Sequence, residues 1–140
     1  MLKNIFKRKD RKINNQKEVM IAALLVHAAR MDEKYTEVEK KIISRALMDL
    51  TKFPEKNVQE IISLAEKKEE DSNQIIEFTR KIKNEEMKFR LKIIELLWKI
   101  IYSDNIADQY ETNLMRRICG LLYIPDKDSG AIKLKMEKNE

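Results

Sequence analysis

The chain has 140 residues, 43% of them apolar and 38% charged, with two glycines, two prolines, one cysteine and one histidine. This composition excludes collagen-like and low-complexity chains and argues against a turn-rich all-β fold, while the length suits one domain that buries roughly 70% of its unfolded surface. Cys119 has no partner for an internal disulfide, which points to a reducing compartment, and a single histidine, His27, excludes zinc sites built from several His or Cys ligands.

The net charge of +5 is unevenly placed. Lys3, Lys7, Arg8, Lys9, Arg11 and Lys12 stand against Asp10 alone within the first twelve residues, so the other 128 residues are neutral overall. The basic balance therefore belongs to a tail, expected to be flexible over 1–14, and not to the single folded domain expected over 15–140. A nucleic-acid-binding domain carries its basic stripe on the folded body, so nucleic acid is disfavoured as a partner. Leu2, Ile5 and Phe6 lie about one helical turn apart and are followed by cations, which suits weak attachment to an anionic membrane surface or an acidic partner. The alternative is a solvated terminus. The segment is no secretory signal, because no apolar region or small-residue cleavage site follows the cations. The longest apolar stretches, Val19–Ala29 and Ile93–Tyr102, are far shorter than a membrane span.

Helical periodicity runs through almost the whole chain. A first helix is expected from about Asn15 to Asp32. A second opens at the capping-box pattern Thr36-Glu37-Val38-Glu39 and runs to about Lys52. Pro54 suits the first turn of a third helix, which uses Val58, Ile61, Ile62 and Ala65 and fades in the charged run Glu66–Asp71. Ser72 is the expected cap of a fourth helix, with Ile75, Ile76, Thr79 and Ile82 turned inward. A fifth spans about Glu85–Ser103. Asp108-Gln109-Tyr110-Glu111 opens a sixth that ends near Tyr123, and Pro125 and Gly130 mark breaks before a short, weak last helix. The fold class is thus all-α, with six to seven helices. Val19–Val26 and Ile93–Ile101 are apolar nearly all round, so the first and fifth helices are expected at the centre, ringed by amphipathic ones.

A shift of 72 residues aligns the two central helix pairs. Leu24-Leu25 falls on Leu96-Leu97, Asp32 on Asp104, Glu39 on Glu111, Arg45 on Arg117 and Leu50 on Leu122. Six identities in 27 positions exceed the two or so that chance gives, which suggests an internal repeat. Each unit reads as a buried helix ending at an Asp, a short turn, and a capped helix with a Glu in its first turn.

Asp32, Glu39, Asp104, Asp108 and Glu111 are the candidate metal ligands, because hard divalent cations favour clustered carboxylate oxygens. The competing reading is helix punctuation: Asp108 and the glutamates cap, and anions favour helix N-termini. Capping does not account for Asp32 and Asp104, which lie near helix C-termini. An EF-hand is excluded: counted from either aspartate, position twelve is Ile43 or Met115, and position six is Glu37 or Gln109. His27 reads as a hydrogen-bonded or partly exposed histidine, Cys119 as a buried inert thiol, Arg45 and Arg117 as salt-bridge partners, and Lys67–Asp71 as a solvated helix end.

The ordered set Ala22-Ala23-Leu24-Leu25, Met31-Asp32-Glu33 with Glu39, Phe78-Thr79-Arg80, Leu97-Trp98, Ser103-Asp104-Asn105 with Glu111, and Arg116-Arg117-Ile118-Cys119-Gly120-Leu121-Leu122 resembles the TerB-like (tellurite-resistance protein B) family. It is similar also to the related N-terminal domain of a membrane-anchored DnaJ-like co-chaperone. The likeness covers about residues 15–137. The family's repeated Ala-Asp-Gly keeps only its aspartates here. The resemblance implies two central helices ringed by others, a link to stress and tellurite resistance, divalent-metal association, and protein contacts near the membrane. The expected function is a non-enzymatic interaction module in the cytoplasm, or peripheral to the inner membrane surface, with a protein partner. The alternatives are a metal-dependent enzyme using the repeated carboxylates and a membrane-recruited co-chaperone-like adaptor.

Overall fold

The computed structural model describes residues 16–31, 35–72, 74–104 and 109–138. The basic segment 1–14, Asp32 and Asp108 lie outside the described residues, as does the carboxylate of Asp104. Among the described residues the chain is all-helical: α1 (Gln16–Arg30), α2 (Glu37–Thr51), α3 (Glu55–Asp71), α4 (Ile75–Arg80), α5 (Met87–Ile101) with a 3-10 turn Tyr102–Asp104, α6 (Gln109–Leu121) and α7 (Asp126–Lys138).

In α1 every residue from Met20 to Ala29 is buried except His27. A helix can bury all its faces only if other elements surround it, and α1 packs against α2, α3, α4 and α5. Its polar residues are pushed to the ends, with Glu18 in the first turn and His27 and Arg30 in the last, the signs that the helix dipole favours. On α5, Ile93, Ile94, Leu96, Leu97, Trp98, Ile100 and Ile101 are buried against α1, α2, α6 and α7.

The connections follow from local chemistry. Thr36 is extended and Glu39 reaches back to accept from its amide (3.1 Å) and its hydroxyl, so the expected capping box forms. At the far end of α2, Lys52 turns left-handed (φ 64°) and its amide donates to the Met48 carbonyl at 2.9 Å. Pro54 precedes α3 with φ −67°, the value its ring imposes, and its carbonyl accepts the Asn57 and Val58 amides.

Three boundaries differ from expectation. Ser72 does not cap α4: it closes α3, donating its amide to the Lys68 carbonyl, and extended Gln74 precedes α4. α4 is a bare six residues, and Ile82 is buried from the following turn instead of from the helix. The last helix is neither short nor broken at Gly130, for α7 runs thirteen residues through it. What holds it is tertiary contact: Trp98 Nε1 donates to Ser129 Oγ (3.3 Å), and the Tyr102 hydroxyl donates to Glu137 (2.6 Å). No described helix is long and apolar enough to cross a membrane.

Candidate functional site

The C-terminal turn of α1 carries the most concentrated polar chemistry among the described residues. His27 and Arg30 are three residues apart and so share a face of α1. That face meets the last turns of α3, where Glu69 is only 7% exposed. Glu69 Oε1 accepts from Arg30, and Oε2 lies 3.1 Å from His27 Nδ1. An ionised carboxylate can only accept, so Nδ1 carries a proton in this pair. Arg30 reaches also toward Glu70 at 3.4 Å. Burial works against the Arg30 charge, but Glu69 and Glu70 outweigh it and raise its pKa above the ordinary value.

Tyr35, in the connection to α2, completes the cluster. Its ring lies within cation–π reach of Arg30 (5.0 Å) and of Lys40 (5.1 Å), and Lys40 pairs with Glu66 of α3 at 3.2 Å. Its hydroxyl is shut from water and, among the described residues, meets no acceptor at good hydrogen-bond geometry, yet Glu66 is close enough to act on its charge. Burial first, then Glu66, pushes the phenol well above its usual pKa. Together these residues tie the end of α1, the start of α2 and the end of α3 to one another.

The charged run at the end of α3 is therefore not simply solvated. Lys67 and Glu70 are exposed, but Glu69 is an inward position. The signal was present in the spacing, because Glu69 stands four residues after Ala65 and seven after Ile62, on the same stripe. The expectation for His27 agrees with its place: its side chain is 14% exposed and bonded to Glu69.

The acidic turns are described in part. Glu39 is half-buried and serves as the reciprocal cap of α2. Glu111 is 2% exposed in the first turn of α6. Asp104 closes the 3-10 turn after α5. Among the described residues no three His, Cys, Asp or Glu side chains come together in a group able to hold a metal ion. Arg45 and Arg117 are both exposed. Cys119 is 1% exposed, and burial, ahead of a Ser129 hydrogen bond that works the other way, pushes its thiol pKa up.

Among the described residues the architecture is all-helical, with an apolar helix enclosed by four others, and defines a small helical module. The family model described as tellurite resistance protein TerB matches residues 18–134, and the chain belongs to that family. No match to a curated protein or to a solved structure reaches significance.

Proposed function

We propose that the chain acts as a non-enzymatic interaction module of the TerB family, in which the acidic turns after α1 and α5 present carboxylates to a divalent cation or to a basic partner. Membership of the family supports the link to tellurite and stress resistance. The observation that carries the reading away from nucleophilic catalysis is the place of the one cysteine, which is buried with a raised pKa and so is not poised to attack a substrate. The basic segment Lys3–Lys12 adds affinity for an anionic surface, which suits attachment at the inner face of a membrane.

The test is calorimetric titration of the metal-stripped chain with Ca²⁺, Mg²⁺, Mn²⁺ and Zn²⁺, beside an Asp32→Asn/Asp104→Asn double variant. Saturable binding that the double variant loses is the expected result. Absence of heat in both proteins would reduce the carboxylates to caps and ion-pair partners and remove the metal from the proposal. Turnover of any phosphoester or amide substrate by the loaded protein would overturn the non-enzymatic reading.

A further inference from the structure

A second surface lies where α4 and the turn after it face the end of α6. A cleft of about 130 Å³ opens there, bordered by Ile76, Arg80, Lys83, Gly120, Leu121 and Tyr123. Small-molecule sites usually enclose about 300–1,000 Å³, so this cleft suits an inserted side chain better than a cofactor.

Two independent features point to a partner. The first is charge. Arg80 and Lys83 border the cleft, and Arg116 and Arg117 are exposed one turn back along α6 from Gly120 and Leu121. Among the described residues no carboxylate lies within ion-pairing distance of these four cations; Glu77, which feels Arg80, is paired instead with Lys68 at 3.3 Å. The apolar members sit in this field with Ile76 53% and Tyr123 63% exposed.

The second is backbone geometry. The end of α6 is a Schellman motif: Ile124 N–H donates to the Cys119 carbonyl (2.9 Å) and Tyr123 N–H to the Gly120 carbonyl (3.3 Å). The left-handed position of that motif favours glycine, yet Tyr123 fills it with φ 56°. Arg90 of α5 secures the turn by donating to the Leu122 carbonyl at 2.6 Å. The conformation is therefore held by its surroundings at a local cost, and what it delivers is an exposed tyrosine ring at the edge of the cleft instead of in the core. Tyrosine offers a large contact area with few rotatable bonds, which suits it to an interface.

We propose that this cleft docks an acidic peptide segment of a partner protein, which inserts an apolar side chain between Ile76, Leu121 and Tyr123 while its carboxylates meet the four cations. The chain's own basic segment has the wrong charge for the role, so the occupant comes from another molecule. This inference does not depend on the acidic turns or on metal.

Fluorescence anisotropy of the full chain tests it. The probes are fluorescein-labelled peptides of about twelve residues, rich in Glu and Asp around a central Leu-Phe pair, and a matching set with Gln and Asn for the acids. Saturable, salt-sensitive binding of the acidic set alone is expected. An Arg80→Glu/Arg117→Glu variant should weaken it about tenfold or more. Gly120→Phe should block it without unfolding the helix, because Gly120 is exposed, a β-carbon there meets nothing within 4 Å, and the ring has the cleft to enter. Tyr123→Gly separates docking from structure: it should raise the melting temperature and yet weaken the peptide. No saturable binding of the acidic set would overturn the proposal. So would binding unchanged in the Arg80/Arg117 variant, which would assign the signal to the basic segment. Binding of phosphatidylserine vesicles through these residues, with no peptide binding, would overturn it in favour of a lipid surface.

Discussion

Removal of the Glu69 carboxylate would leave Arg30 and His27 with donors that water reaches poorly. Breaking a fully buried ion pair costs about 3–5 kcal/mol, but the Arg30 side chain is 28% exposed and recovers part of its hydration. Glu69→Ala is therefore expected to lower stability by about 2–3 kcal/mol, read as an earlier urea midpoint with an unchanged slope. Glu69→Gln, which keeps an acceptor for Arg30, should fall between the two proteins. Tyr35 makes a prediction about pH. Its folded-state pKa is raised above the ordinary value of 10.0, so the native protein keeps a proton that the unfolded chain releases. The stabilisation is complete below pH 10 and is lost as the pH climbs from there toward the raised value. Denaturation midpoints measured between pH 9 and pH 11 should fall for the parent, and the Tyr35→Phe variant should show a smaller decline. The spacing of Ile62, Ala65 and Glu69 put this carboxylate on the inward stripe, but five consecutive charged residues from Glu66 to Glu70 concealed it. What no spacing carried was the partner: His27 lies 42 residues earlier, and only packing brings it to Glu69.

The helices themselves were largely legible, because a core-facing stripe repeats every 3.6 residues and caps mark its ends. Thr36 with Glu39 fixed the start of α2, and Pro54 the start of α3. The exception, α7, shows where that signal fails. Its one buried residue is Ser129, Ile132 and Met136 are only half-buried against the core, its Leu134 is 55% exposed, and it is anchored through Trp98 and Tyr102 of the α5 end. A helix docked by hydrogen bonds and a few half-buried side chains leaves little apolar rhythm in its own sequence. Gly130 inside it then looked like a break, though it is only a weak point. Glycine in a helix interior costs about 0.5–1 kcal/mol relative to alanine, and a β-carbon at this position meets nothing within 4 Å. Gly130→Ala should therefore stabilise the protein by that amount, seen as a higher thermal midpoint. The acidic turns were legible as a pattern. Their use was not, because a carboxylate at a helix start caps by the same chemistry that lets it bind a cation.

At the scale of the whole molecule, the core is organised around a segment near its beginning. α1 has no solvent face of its own over Met20–Val26, and its neighbours include α5, which spans Met87–Ile101. Contacts between such distant segments form only after the intervening chain is available, so the central packing is non-local even though every element is a helix. This has a consequence during synthesis. Ribosomes extend a chain at about 5–20 residues per second, so the 71 residues between the ends of α1 and α5 take roughly 4–14 s to make. Throughout that interval the longest unbroken apolar run of the protein, Val19–Val26, has been made and the helix that completes its cover has not. The segment at the centre of the finished fold is thus the one most in need of shelter while the fold is being made, and a cell short of chaperone capacity would lose this protein to aggregation before it lost it to unfolding.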